Sequence, residues 1–455
     1  MKRAILPLAF FFAASALAAV STTNNDDSCD IAWQPAATLL LPYFEVDFSA
    51  PPQFAVQTLF TIQNTTALPQ IANVTLWTDL GYPAYSFPVF LTGYDVQPFN
   101  LYDLFANSTI VSTLSDVQLP VNPTPGSQPV ETNPNFLAGA AAACRNVPGA
   151  LPPSLVADLR QIFTVGKTAT GCQVGTVHVN AIGYITIDVV ATCAAKSPAS
   201  LDYASILLYD NVLTGDYEQL VARGGKSYAQ GSPLVHIRAI PEGGPAGALV
   251  GTSLPYTFYD RYTIAQPSRT IDRRQPLPSV FAPRYIAGGP GGLNTKLKIW
   301  REGVTTASAA CTDYAKNSAI RFTEAVRFDE HENATIVSLC CCVTCPPPPP
   351  GPPLTVNLSA SDTNTLGAFS TSGDVGGWLY LNLSNGGSTS YSAARPGFAP
   401  PTVIVRPSQA WVITSMFAEP TYATETTAIA LGNGCSPPAG SSTHAQIGPA
   451  PNPTP

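Results

Sequence analysis

Apolar and polar residues alternate along this chain in short runs with a period of two. Phe60 and Ile62 alternate with Thr61 and Gln63, and Val74 and Leu76 flank Thr75. The pattern returns where Ile185, Ile187 and Val189 alternate with Thr186 and Asp188, and where Val235 and Ile237 alternate with His236 and Arg238. It recurs at Leu354, Val356 and Leu358, again at Leu379, Leu381 and Leu383, and the stretch 293–300 reads as a further strand. A period of two puts successive side chains on opposite faces of a sheet, and Gly and Pro bound each run. The pattern predicts a mainly β protein built from antiparallel β-sandwich domains, immunoglobulin-like or jelly-roll-like, each strand with one face buried and one wet.

One helix interrupts the strands. Leu155, Leu159 and Ile162 or Phe163 follow helical spacing, with Ser154 as the expected cap and Gly166 as the stop, so a short helix is predicted near 155–165. A series of βαβ units is missing, which disfavours a doubly wound fold.

Composition and punctuation divide the chain. Lys2 and Arg3, an apolar run over 5–17 and Ala18-Ala19 predict a signal peptide over 1–19. A β-sandwich is expected over 20–125, bounded by a Pro-, Asn- and Thr-rich stretch, and a larger β-rich domain over 126–345. The prolines of 346–353 predict a stiff, extended linker. Residues 354–435 then form a small β domain or complete the preceding sheets, and 436–455 is expected to be a disordered tail.

Charged residues make up only 11%, against about 25% in ordinary soluble domains, so uncharged polar groups must hydrate the surface. The net charge of -7 and scattered basic residues give no basic stripe, which argues against nucleic acid as a partner. Beyond the first 19 residues no apolar run reaches the ~18 needed for a membrane-spanning helix. The 10 cysteines (Cys29, Cys144, Cys172, Cys193, Cys311, Cys340, Cys341, Cys342, Cys345 and Cys435) all follow the signal segment. An even count in an exported chain predicts disulfides and an extracellular, cell-surface or periplasmic location.

Asp329, Glu330, His331 and Glu332 are the densest set of possible metal ligands, with Asp329 and His331 as metal candidates. Consecutive residues on a strand point to opposite faces, so a solvated loop is the expected reading. Cys340, Cys341, Cys342 and Cys345 contain one two-residue spacing but lack the second pair of a zinc site, so structural disulfides are expected. His236, Arg238 and Glu242 precede Gly243-Gly244 and read as an outward strand face leading to a turn, while Asp272, Arg273 and Arg274 read as loop-knitting charges. The glycines of 288–292 lack the Lys-Ser/Thr step of a phosphate loop and read as a turn. With 4 His and no Gly-x-Ser-x-Gly, a serine triad has little to build on, and no cofactor is expected. Tyr43, Phe44, Trp77, Tyr82, Tyr85, Phe87, Phe90, Tyr94 and Phe99 crowd the amino-terminal part and are expected in its core.

Five stretches, 41–47, 76–79, 91–96, 233–244 and 298–303, together resemble a family of exported bacterial proteins with no assigned activity. The resemblance implies secretion from a bacterium and carries no residue roles. The expected function is binding or structural display at the cell exterior, toward a glycan, an envelope polymer or a protein. A secreted glycan hydrolase using a carboxylate pair drawn from Asp329, Glu330, Glu332 and Glu242 is the alternative, and a self-assembling surface subunit a third.

Overall fold

A computed structural model describes residues 33–112, 133–140, 144, 146–200, 202–223, 226–239, 274–275, 277–286, 293–301, 324–336, 354–358, 376–383, 391–392, 403–404, 409–418 and 422–431. The chain is mainly β, with two helices among these residues and only antiparallel strand pairs.

The amino-terminal strands are β1 (Thr38–Val46), β2 (Val56–Asn64), β3 (Gln70–Thr78), β4 (Pro83–Leu91) and β5 (Val96–Asn100), followed by α1 (Leu101–Asn107) and α2 (Pro153–Val165). After the helices come β6 (Ala181–Val189), β7 (Leu213–Thr214), β8 (Asp216–Arg223), β9 (Lys226–Pro233) and β10 (Val235–Ile237). These strands make two sheets, ordered β10-β1-β6-β3-β4 and β5-β2-β8-β9, with β7 also on β2. Both sheets draw strands from either side of residue 125.

The remaining strands are β11 (Val280–Ala282), β12 (Arg284–Ile286), β13 (Asn294–Arg301), β14 (Glu324–Asp329), β15 (Ala334–Ile336), β16 (Leu354–Leu358) and β17 (Gly376–Asn382). They are followed by β18 (Tyr391–Ser392), β19 (Val403–Ile404), β20 (Ala410–Ala418), β21 (Tyr422–Thr427) and β22 (Ile429–Ala430). The third sheet runs β16-β13-β20-β21 and the fourth β15-β14-β17-β11-β22, with β12 also on β17; β18 and β19 pair alone. One buried apolar cluster joins all four sheets, from Leu39, Val74 and Ile187 through Phe60 to Leu297, Ile299, Phe281 and Leu381.

Register explains how the first sheet packs. Ile185 and Ile187 pair with Leu41 and Leu39 on one side and with Leu76 and Val74 on the other, giving one continuous apolar face. The opposite face carries Thr38, Thr186 and Asp188, and these are buried as well. All nine residues of β3 are buried. The polar members of the alternation are therefore not the wet face that the pattern predicts. They are satisfied inside: Trp77 Nε1 donates to Thr186 Oγ1 at 2.8 Å, and Asn73 Nδ2 donates to the Tyr203 hydroxyl at 3.1 Å.

Helix α2 spans the predicted place, and its buried face is Val156, Leu159, Ile162 and Phe163. Its cap differs from expectation. Pro152 occupies the cap position and Ser154 lies inside the first turn, since Pro153 already has the fixed φ of a first helical residue. Gly166 ends the helix at φ 72°, and a Cβ there would meet the Gly175 carbonyl oxygen at 2.2 Å. Arg160 of this helix donates through Nε to Phe105 O at 2.6 Å and through Nη2 to Ala106 O at 3.1 Å, placing a cation at the end of α1. Phe163, Phe44 and Phe105 then pack as a triad against Gly183, where a Cβ would lie 2.8 Å from two of the rings.

Most of the amino-terminal aromatics are core residues. Tyr43, Phe44, Trp77, Phe87, Phe90 and Phe99 are buried, Tyr82 and Tyr85 are half-buried against the core, and Tyr94 is 69% exposed, in a turn at φ 58°. Strand β10 also departs from the outward face predicted for it: paired with β1 at the sheet edge, its Val235, His236 and Ile237 are all buried, and Val235 and Ile237 join the apolar cluster.

Candidate functional site

Strands β12 and β17, with Ala282 of β11, Ile429 of β22 and Glu330 of the turn after β14, line an open cleft of about 680 Å³ on the fourth sheet. Trp378 of β17 stacks on Phe328 of β14 with ring centroids 4.3 Å apart and planes inclined by 10°. The cross-strand register that pairs Phe328 with Trp378 sets this platform. Tyr285, Ile286 and Ile429 add apolar surface, while Arg284 and Glu330 supply opposite charges. Gly377 lets the strands close up: a Cβ there would meet Phe328 O at 2.1 Å and the Tyr285 hydroxyl at 2.7 Å. The Tyr285 ring occupies that space, so Gly377 positions one wall of the cleft.

The Asp329–Glu332 cluster is the turn between β14 and β15. Asp329 Oδ1 accepts the His331 and Asn333 backbone N–H groups, both at 2.9 Å, and Oδ2 accepts from Asn333 Nδ2 at 3.1 Å. That carboxylate organises the turn as an Asx motif does. Glu330, His331 and Glu332 project as exposed residues, and Glu332 takes φ 64°. Of the four, Glu330 lines the cleft. No group of three or more His, Cys, Asp or Glu suited to a metal occurs among the described residues.

A second polar cluster lies deep between β1, β8, β13 and β21. On β13, Leu297 and Ile299 join the apolar core, whereas Lys296 and Lys298 point the opposite way, toward β1. Lys298 Nζ sits 5.4 Å from the centre of the Tyr43 ring, donates to Gln219 Oε1 at 2.6 Å and pairs with Glu425 Oε1. Ser415 Oγ donates to the same Glu425 oxygen at 2.9 Å. Burial draws the Lys298 ammonium below its ordinary range, against the opposing charge of Glu425. Burial first, then the Glu45 carboxylate, pushes the Tyr43 phenol well up; burial and then Glu425 do the same to Tyr217. Burial would raise Glu45 too, but Lys296, the Asn180 carboxamide and Tyr43 outweigh it, so this carboxyl titrates below its usual range.

Two further clusters resemble catalytic sets but are built to hold the fold. Asp188 accepts from Thr38 Oγ1 at 2.6 Å, Tyr203 Oη at 2.6 Å and Arg274 Nη1 at 2.8 Å. Asp79, Thr176 and His178 contain an acid, a hydroxyl and an imidazole. Their geometry is not a triad, because His178 Nε2 faces both Asp79 Oδ2 at 2.9 Å and Thr176 Oγ1 at 2.8 Å. A proton relay needs the acid on one ring nitrogen and the hydroxyl on the other.

Among the other sequence candidates, Arg238 donates to Gln34 Oε1 at 2.8 Å, and the buried His236 accepts the Gly215 N–H at 3.4 Å. Burial lowers the His236 imidazole from its ordinary range. Glu242, Asp272 and Arg273 lie outside the described residues, as do Cys29, Cys311, Cys340, Cys341, Cys342, Cys345 and Cys435. Cys144 and Cys193 form a disulfide with Cα atoms 5.3 Å apart, and Cys172 is disulfide-bonded as well. Arg284, Tyr285, Trp378, Lys298, Gln219 and Glu425 were not singled out by sequence reasoning. A tryptophan on one alternating strand and two lysines on another were visible, but register alone brings their partners to them.

No protein-family model, curated protein or solved structure matches this chain. Among the described residues, no helix is long and apolar enough to cross a membrane.

Proposed function

We propose that this is an exported bacterial protein that binds a glycan at the cell exterior, and that the cleft on the fourth sheet is its binding face. The observation that carries the reading is the Trp378 ring, half-buried and stacked on Phe328, facing an open cleft with Arg284 and Glu330 beside it. A flat, supported indole offers an apolar face to a sugar ring, and the charged groups suit its hydroxyls. The signal-peptide pattern, the low charge and the disulfides support the location. Binding suits the site better than hydrolysis, because among the described residues Glu330 is the one carboxylate lining the cleft and Asp329 is committed to its turn. A two-carboxylate mechanism needs acids about 5–9.5 Å apart across the bond to be cut.

Affinity electrophoresis in gels carrying soluble bacterial and plant polysaccharides tests this. The mature protein is expected to be retarded on at least one polymer, with Trp378→Ala reducing the retardation about tenfold, or about 1.4 kcal/mol. Free migration on every polymer, or retardation unchanged by Trp378→Ala, rejects the cleft. Reducing ends released from the same samples would return the hydrolase reading.

A further inference from the structure

The buried cluster around Lys298 has the parts of a bond-forming site. We propose that Lys298 and Gln219 form an intramolecular isopeptide cross-link, with Glu425 as the proton shuttle. The Lys298 amine lies 2.6 Å from the Gln219 carboxamide oxygen, one bond from the carbon it would attack, and touches a Glu425 oxygen. Water is excluded: Lys298 is 1% exposed, Gln219 2%, and the Glu425 side chain 0%. The three groups come from β13, β8 and β21, and the Tyr43 ring closes the site from β1.

In the first step Glu425 takes a proton from the Lys298 ammonium, and the free amine nitrogen forms a bond to Cδ of Gln219. Charge then develops on Gln219 Oε1, to which Gln230 Nε2 donates at 3.3 Å. In the second step the bond from Cδ to Nε2 breaks: Glu425 gives its proton to the departing nitrogen, which leaves as ammonia, then takes the second proton from the former Lys298 amine nitrogen and ends neutral. An amine and a carboxamide become a secondary amide and ammonia, with no oxidant or co-reactant. Burial favours the first step, since it lowers the cost of deprotonating the ammonium. The fixed approach supplies the proximity that makes an otherwise slow exchange practicable. The product staples β8 to β13, and so ties the second sheet covalently to the third.

Mass spectrometry of the reduced, folded full chain, followed by tryptic mapping, tests the link. The expected result is a deficit of about 17 Da, the mass of ammonia, in one branched peptide joining residues 197–223 to residues 297–301, with no cleavage after Lys298. Two separate peptides at their unmodified masses overturn the proposal. So does a deficit of about 18 Da that joins Lys298 to Glu425, since water loss would make Glu425 the acceptor. Glu425→Gln keeps the shape of the site and removes the shuttle. Folded Glu425→Gln protein is expected to show the two peptides unlinked, and a full cross-link in it overturns the role of Glu425.

Discussion

Two ion pairs are completely withdrawn from water in the described residues, Asp188 with Arg274 and Lys298 with Glu425, and their surroundings differ in kind. Asp188 receives donors only: a threonine hydroxyl, a tyrosine hydroxyl and a guanidinium. A guanidinium does not lose its proton in a protein, so that cluster can only hold. Around Lys298 the cation is an amine, which becomes a nucleophile when neutral, and one acceptor is a carboxamide carbonyl. Burial alone makes neither site functional; what the buried cation can become decides it.

The largest effect should come from breaking the first pair. Asp188→Ala takes from the buried Arg274 guanidinium the carboxylate that balances its charge, and is expected to cost about 3–5 kcal/mol in urea unfolding. Replacing both, as Asp188→Leu with Arg274→Met, should recover most of that loss, because an apolar pair has no charge to desolvate. The same exchange at the second pair, Lys298→Met with Glu425→Leu, should instead leave the chain about 2–4 kcal/mol less stable, by analogy with removal of a disulfide. Equal recovery at both sites would erase the distinction between them.

The smallest effect separates the clusters by pH. His236 lies on β10 opposite Leu39 of β1, and burial depresses its folded value. The folded state then binds fewer protons than the unfolded state, so stability is present above the unfolded value of about 6.5 and falls as pH drops through it. His236→Gln is expected to flatten the urea midpoint across that window, and a slope unchanged by the substitution would remove His236 as its source.

Much of the fold was legible because alternation survives wherever a strand has one apolar face. Phe60 and Ile62 are buried beside the exposed Gln63, as their pattern predicts, and the helix at 153–165 follows its spacing. The reading failed where both faces are covered. Thr75, Thr186 and Asp188 look like a solvent face, yet the Tyr203 and Arg274 layer lies over it. Lys296 and Lys298 alternate with Leu297 and Ile299 as an exposed strand would, but their partners on β1 and β21 lie far off in sequence. The cleft was illegible for the same reason. Glu330 stood out among its acidic neighbours, whereas Trp378 gains its meaning only from a register that sets it on Phe328.

The register of β1 also governs how the chain reaches this state. Its Thr38 meets Asp188 across 150 positions and Arg274 across 236. Strands β1 and β3, buried on both faces once folded, are joined only through β6, which lies between them. Loop closure over such spans is entropically costly before any contact rewards it, so collapse should be slow and late. During synthesis the early strands wait as sticky, unpaired edges, and whatever shields them in that interval sets the yield of native protein.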